Sequence, residues 1–204
     1  MNQAIQEQPG TKTTERPLYS PGLEGVIAGE SALCQVDEGE AGLRYRGYAI
    51  GDLAKWSRFE EVAYLLLIGH LPTRSELDSF STLLRGHRVL PDPVQRFIDS
   101  LQPGLHPMDV LRTGISLLGL SDPDAQDGSH EANLRKSMRL LSQIPLLIAH
   151  SYRVMSGILP PRQDESRDFA QHLLHLVAGH KDGETGTAMA QALNVSLILY
   201  AEHE

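Results

Sequence analysis

The residue best placed to do chemistry is His203, which lies between Glu202 and Glu204 at the end of the most apolar helical segment. Residues 187–200 carry few polar side chains and predict a buried helix. No Gly or Asn follows to cap its last carbonyls. The dipole of the helix and the two carboxylates favour a protonated imidazole, which suits an anionic, carboxylate-bearing ligand. An ordinary histidine at a helix end is the alternative interpretation.

The other histidines do not predict a metal site. His172 and His175 are three residues apart on a predicted helix and could share a face, but no third ligand follows at the spacing of a zinc site. We interpret both as ordinary surface or interface histidines, and His150 as a satisfied core or interface histidine. Capping and dipole effects account for the histidines at predicted helix ends and turns, which are His70, His87, His106, His130 and His180.

Motifs for nucleophilic catalysis or phosphate binding are missing from the sequence. No P-loop, strand-linked Gly-x-Gly-x-x-Gly or Gly-x-Ser-x-Gly segment occurs. Cys34, the single cysteine, has no basic neighbour close in sequence, so we expect a packing role rather than a nucleophile. Arg44 and Arg46 flank Tyr45 on a predicted strand and would point to one face. Their spacing fits a structural ion-pair site as well as a functional one.

Composition bounds the class of protein. The chain has 204 residues, is 41% hydrophobic and carries a net charge of −8 with no basic run, which argues against nucleic-acid binding. No apolar stretch reaches the roughly 18–20 residues of a membrane span. Residues 1–19 are interpreted as a flexible N-terminal tail because they lack the apolar core of a signal peptide. With a single cysteine, the sequence predicts a cytoplasmic protein.

The predicted elements define a mainly α protein with a small β-hairpin element near the N-terminus. Glycine-punctuated short runs in residues 20–48 predict one or two hairpins. Capping boxes at residues 57–60 and 73–76 open two helices. Asp92-Pro93 and His106-Pro107 open two more. Further helices are expected over 129–157, with Pro145 kinking or interrupting it, and over 165–178.

Five segments, in order, are similar to the N-terminal portion of a citrate synthase. The type resembled is the shorter bacterial one, which includes 2-methylcitrate synthases. The segments are 22–30 (GLEGVIAGE), 43–50 (LRYRGYAI), 59–66 (FEEVAYLL), 106–113 (HPMDVLRT) and 197–204 (LILYAEHE).

The resemblance implies an almost wholly helical fold with a large and a small domain. It implies a homodimer whose active site lies between the domains. The implied reaction is the condensation of acetyl-CoA with oxaloacetate to citrate and CoA in the tricarboxylic acid cycle, with acetyl-CoA as a substrate and no separate cofactor. The family places the histidine that matches His203 against oxaloacetate. Propionyl-CoA is the alternative acyl substrate, as in 2-methylcitrate synthase.

The sequence departs from the family's pattern in one major respect. The family's catalytic groups are a His in a His-Gly-Gly-like loop, a His in a Gly-His-Arg motif and a carboxylate base, and nothing in 1–204 matches them. We therefore assign no catalytic residue and expect residues 20–204 to form an incomplete large domain, without the small domain and inactive alone. The open alternatives are half of a split enzyme and a non-catalytic remnant or dimerisation module.

Two further expectations follow from the resemblance. The helices over 107–119 and 187–200 resemble those of the family's dimer interface, so we expect association with a second copy or with a C-terminal half. Asn194 stands where many relatives carry Asp.

Overall fold

A computed structural model describes residues 30–36, 42–159, 161, 164, 166–179 and 183–202. The chain groups into two units, Met1–Ser31 and Ala32–Glu204, and all elements described below belong to the second. Several predictions concern residues outside the described ranges. These are the tail over 1–19, residues 20–29 of the hairpin region, the turn over 37–40, and His203.

The described residues confirm a mainly α fold with a small antiparallel sheet, in which the strand order is β1-β2-β3. The strands are β1 Cys34–Val36, β2 Leu43–Tyr45 and β3 Tyr48–Ala49. The helices are α1 Ile50–Trp56, α2 Phe59–Ile68, α3 Arg74–Gly86, α4 Asp92–Asp99, α5 Pro107–Ser121, α6 His130–Met155, α7 Phe169–Ala178 and α8 Gly183–Leu199.

The turn between β2 and β3 corrects the prediction for Arg44 and Arg46. Arg46 and Gly47 both have positive φ, +48° and +89°, as a two-residue type I′ hairpin turn requires. Arg46 therefore lies in the turn rather than on the strand. Its Nη2 donates to the Leu66 carbonyl at 3.2 Å, and Arg44 Nη1 donates to the Gly47 carbonyl at 3.0 Å. Both arginines bind backbone carbonyls.

Local capping signals locate several helix ends correctly. Thr73 caps α3 through the Glu76 amide, while the Glu76 carboxylate accepts from the Thr73 N–H at 2.7 Å, as predicted. His106 Nδ1 accepts from the Met108 N–H at 3.3 Å and begins α5, and Gly69 ends α2 in the left-handed region with φ +107°. These signals work because donor and acceptor lie within one helical turn.

Other predicted boundaries are wrong by one to several residues. The N-cap of α2 is Arg58 rather than Ser57, and the Glu61 carboxylate accepts its N–H at 2.7 Å. The N-cap of α4 is Pro91. The helix α4 ends at Asp99, whereas its sequence pattern predicts an end near Gln102, and α7 begins at Phe169 rather than at 165.

The long helix α6 continues through Pro145 without interruption. A proline removes one intrahelical hydrogen bond and crowds the preceding turn. Here Pro145 is buried, and its neighbours Leu146 and Leu147 are fully buried against the adjoining helices. This packing keeps the helix continuous.

Two large apolar clusters and a small one form the core. The first joins the sheet to α1, α2, α3, α7 and α8 around Tyr45, Leu65 and Ile198. The second joins α4, α5 and α6 around Val94, Ile98 and Leu147. A small third cluster joins α6 to α7.

The helix α8 differs from its prediction as a buried helix over 187–200. It begins at Gly183 and buries a single stripe, every fourth residue from Gly186 through Ala190 and Asn194 to Ile198. The remaining faces are half-buried or exposed. Among the helices of the described residues, none has the length and apolar character to cross a membrane.

Candidate functional site

The C-terminal end of α8 is held by a tyrosine from the sheet. Tyr45 lies in β2, is fully buried, and places its hydroxyl 3.2 Å from the Leu199 carbonyl oxygen and 3.4 Å from the Glu202 carbonyl oxygen. The sequence offers no Gly or Asn cap here, so these carbonyls need another donor. Tyr45 is that donor. In the sequence Tyr45 is distinguished only by the arginines on either side of it, and no local signal identifies its partner.

Burial keeps the Tyr45 hydroxyl in its donating form. It raises the pKa of Tyr45 above its usual value, because the charged phenolate loses hydration in the core. The phenol is therefore neutral at physiological pH. The hydroxyl has one proton, and the Leu199 and Glu202 carbonyl oxygens share it as acceptors.

A second polar contact fixes α8 against the junction between α1 and α2. The Asn194 Oδ1 atom accepts from the Phe59 N–H at 2.8 Å, and Asn194 Nδ2 donates to the Ser57 carbonyl at 3.2 Å. Phe59 is the first residue of α2, so its N–H has no partner within the helix. Asn194 thus caps α2 from a position 135 residues away. This contact also explains why α2 begins one residue later than predicted.

A third contact of the same kind begins α7. Glu60, predicted to cap its own helix, instead accepts from the Phe169 N–H at 2.6 Å. The carboxyl is buried, and loss of hydration raises its pKa above the usual value, although the amide hydrogen bonds act in the opposite direction. Distant side chains therefore cap the first amides of α2 and α7 and the last carbonyls of α8.

Of the two histidines of α7, which were predicted to be ordinary surface or interface residues, His172 lies in the core. His172 is only 3% exposed, and within the described residues neither ring nitrogen has a hydrogen-bond partner. Burial, with a smaller contribution from Arg88, lowers the pKa of His172 to about 4, so the ring is neutral at pH 7. The described residues contain no group of three His, Cys, Asp or Glu side chains that could hold a metal ion.

His150 and Cys34 are both half-buried. Burial lowers the pKa of His150, and its Nδ1 finds no hydrogen-bond partner in the part of the chain that the structure describes. The prediction of a satisfied histidine is wrong for this atom. Cys34 is half-buried on β1 and packs against the first core cluster, as expected.

An apolar groove of about 380 Å³ separates α5 from α6. Its walls include Met108, Leu111, Ile148 and Tyr152, and Met108 is 61% exposed. Leu120, near the end of α5, is 83% exposed. Such a groove offers few polar groups to orient a substrate, and it is typical of a surface covered by another protein segment.

The fold defines a class of protein that is mainly helical, in which the C-terminal end of α8 is bound by Tyr45 of the small sheet. The family described as "Citrate synthase, C-terminal domain" matches residues 22–204. The chain belongs to the citrate synthase family, whose members are transferases.

Relatives with curated names agree. The chain is 40% identical over 190 residues to the 2-methylcitrate synthase of Shewanella oneidensis, covering 93% of this chain and 49% of that protein. It is 33% identical over 190 residues to the citrate/2-methylcitrate synthase of Bacillus subtilis, covering 93% and 50%. The crystal structure of citrate synthase from Pyrobaculum aerophilum superimposes with a TM-score of 0.80 at 28% identity, covering 98% of this chain and 52% of that one.

The chain spans about half the length of the curated relatives it matches. The assignment of His203 to oxaloacetate stays a prediction, because this residue lies outside the described part of the chain. The structure brings the residue before it, Glu202, into contact with Tyr45.

Proposed function

We propose that this chain supplies one half of an active site that condenses an acyl-CoA with oxaloacetate. The supporting observation is the family match over residues 22–204, together with relatives named for citrate and 2-methylcitrate synthesis. In this reaction the carbon next to the thioester loses a proton, and the resulting enol attacks the ketone carbon of oxaloacetate. Hydrolysis of the thioester then releases CoA. We place this reaction in the cytoplasm.

His203 is the proposed oxaloacetate ligand. A protonated imidazole pairs with a carboxylate and donates hydrogen bonds to it. In the sequence Glu202 and Glu204 flank this residue, and neighbouring carboxylates favour the protonated form of an imidazole. The contact from Tyr45 to the Glu202 carbonyl supports a fixed approach of the chain to this residue.

The 204-residue chain alone is proposed to be inactive. A general base must lie within hydrogen-bond reach of the proton that it removes. The sequence contains no match to the base or to the two catalytic histidine motifs of the family. In the proposed reaction these groups come from outside residues 1–204.

We also propose that the chain forms a homodimer. Met108 and Leu120 of α5 are strongly exposed, and α8 carries only one charged residue, Glu184, over 17 residues. A helix with so few charges is unfavourable on a water-exposed surface.

Sedimentation tests this interface. It should show a dimer for the wild-type chain and a dimer that dissociates more readily for Leu120→Glu. The matched control is Val89→Glu, which places the same charge at an exposed loop position. Dissociation by both variants, or by neither, would contradict the proposed interface.

Complementation tests the catalytic proposal. The chain is co-expressed with the half of the Shewanella oneidensis 2-methylcitrate synthase that the match leaves uncovered, and the complex is purified. We expect thiol release that requires oxaloacetate and an acyl-CoA, and we compare acetyl-CoA with propionyl-CoA. His203→Ala should raise the KM for oxaloacetate. A stable complex without thiol release from either acyl-CoA would refute the catalytic role and favour a non-catalytic module.

A further inference from the structure

We infer that the groove between α5 and α6 binds a small uncharged molecule that is mostly apolar and carries one carbonyl, which accepts a hydrogen bond from the Ser151 hydroxyl. This inference goes beyond the proposed function and does not depend on it. Its test requires no catalytic activity.

Two buried serines of α6 use their hydroxyls differently. A serine inside a helix commonly donates to the carbonyl four residues earlier, and Ser142 Oγ donates to the Met138 carbonyl at 2.8 Å. Ser151 is 4% exposed, yet its Oγ has no hydrogen-bond partner within the described residues. Most buried polar groups are paired, because a buried donor without an acceptor is costly. The unpaired hydroxyl of Ser151 therefore indicates an acceptor that a ligand supplies.

Ser151 lines the groove of about 380 Å³ together with apolar side chains. The lining residues Val110 and Leu147 are buried as Ser151 is, whereas Met108 and Tyr152 are exposed, so the hydroxyl lies on the buried side of the groove. Pockets for small molecules typically measure roughly 300–1,000 Å³ and combine apolar walls with a few polar groups that orient the ligand. The groove and its one buried hydroxyl fit this description.

The charges near the groove favour an uncharged ligand. Among the residues that the structure describes, no charged side chain lines the groove. The charged residues that follow its lining residues in sequence are already engaged: Arg112 pairs with Asp109 at 3.0 Å, and Arg153 Nε donates to the Leu159 carbonyl at 2.6 Å. A carboxylate or ammonium group in the groove would lose its hydration without gaining a partner of opposite charge.

The hydroxyl also favours a small molecule over a helix of another protein molecule. A helix laid in the groove would present apolar side chains to it, while its backbone carbonyls accept hydrogen bonds from its own N–H groups. The Ser151 hydroxyl would then stay unpaired. A small carbonyl compound contacts the apolar walls and also accepts the hydrogen bond.

A fluorescent probe of this chemistry tests the inference. The neutral ketone 6-propionyl-2-dimethylaminonaphthalene emits at shorter wavelength in apolar surroundings, and titration of the full 204-residue chain should show saturable binding of one molecule per chain. The comparison probe is 1-anilinonaphthalene-8-sulfonate, which has a naphthalene ring of the same size but is an anion. We expect the anion to bind about tenfold more weakly or less, because the groove offers it no cation.

Three variants locate the probe. Ser151→Ala removes the hydroxyl and should raise the Kd of the ketone about 5- to 10-fold without lowering stability, since the hydroxyl is unpaired in the free chain. Ile148→Trp, at an exposed lining position, should fill the groove and abolish saturable binding. The matched control is Ser142→Ala, which removes a buried hydroxyl of the same helix outside the groove and should leave the Kd unchanged.

Several results would overturn the inference. These are no saturable binding to the wild-type chain, an unchanged Kd in Ser151→Ala, or equal affinity for the anionic probe. Reduced stability of Ser151→Ala would show that the hydroxyl already has a partner in the protein. Binding that occurs in Leu120→Glu but not in the wild-type chain would show that a second copy covers the groove instead of a small molecule.

Discussion

Glu60 and Phe169 lie 109 residues apart, and the Glu60 carboxylate accepts the Phe169 backbone N–H at 2.6 Å. The contact begins α7 with a side chain from α2. Its consequence for stability follows from the burial of the carboxyl, which raises its pKa. Folding therefore favours the protonated form of Glu60.

The variant Glu60→Gln should be at least as stable as wild type at pH 7, because the amide oxygen still accepts from Phe169 and no buried charge remains. The stability gained from the protonated Glu60 is complete below its unfolded pKa, near 4.5, and is lost as the pH rises through the raised folded pKa. The advantage of Glu60→Gln should therefore grow as the pH rises from 4.5. Urea unfolding at several pH values measures this trend.

Glu60→Ala is the matched comparison for that experiment. It leaves the Phe169 N–H buried without an acceptor, which destabilises the fold by about 1–3 kcal/mol relative to Glu60→Gln. Equal stabilities for the two variants would show that the hydrogen bond contributes nothing.

The stability of the fold should depend on both hydrogen bonds of the Asn194 side chain. Asn194→Ala leaves the Phe59 N–H and the Ser57 carbonyl without their partner, and we expect a loss of about 1–3 kcal/mol. Asn194→Asp keeps the acceptor for Phe59 but, once ionised, turns a carboxylate oxygen toward the Ser57 carbonyl. Its stability should therefore fall as the pH rises through the pKa of the new carboxyl. Ser196→Ala, on an exposed face of the same helix, should change stability by less than about 0.5 kcal/mol. Denaturant midpoints compare the three variants, and an Asn194→Ala midpoint equal to that of Ser196→Ala would contradict the capping role.

His172 should make the chain sensitive to acid. Its folded pKa of about 4 lies below the usual 6.5, so the unfolded state binds the proton more readily between these values. The neutral form of His172 makes its full contribution to the free energy of unfolding above pH 6.5, and this contribution is lost as the pH falls toward 4. His172→Gln should weaken this dependence between pH 6.5 and 4, and His130→Gln, at an exposed site, should not. Thermal melts across that range provide the measurement. Parallel pH profiles for His172→Gln and wild type would refute this assignment.

Gly114 should not tolerate a methyl group. A Cβ added at Gly114 would lie 2.5 Å from Leu147 Cδ1, and Leu147 is fully buried in the contact between α5 and α6. We expect Gly114→Ala to lose about 1–3 kcal/mol. Gly119→Ala, on the same helix with open space around its Cβ, should gain about 0.5–1 kcal/mol from helix propensity. The measurement is the free energy of unfolding of Gly114→Ala and of Gly119→Ala. A stabilised Gly114→Ala would show that α5 and α6 are not closely packed at this position.

Local signals in the sequence located several helix ends correctly. Thr73 with Glu76, His106 before Pro107, and Gly69 each act within one turn of the residues they cap. The error at α2 has a tertiary cause. Asn194 takes the Phe59 amide, Glu61 takes the Arg58 amide, and Glu60 is free to turn toward α7. Sequence spacing cannot rank a local acceptor against one that is more than a hundred residues away.

The sequence by itself determined the mainly helical class and the family resemblance, and the oxaloacetate-ligand role of His203 stays a prediction from it. These depend on periodicity, composition and motif order, which are properties of neighbouring residues. The tertiary structure decided that α8 exposes most of its surface and that Tyr45 closes its C-terminal end. Hydrogen-bond partners of buried polar groups are chosen by three-dimensional proximity, and desolvation makes each of those choices energetically significant.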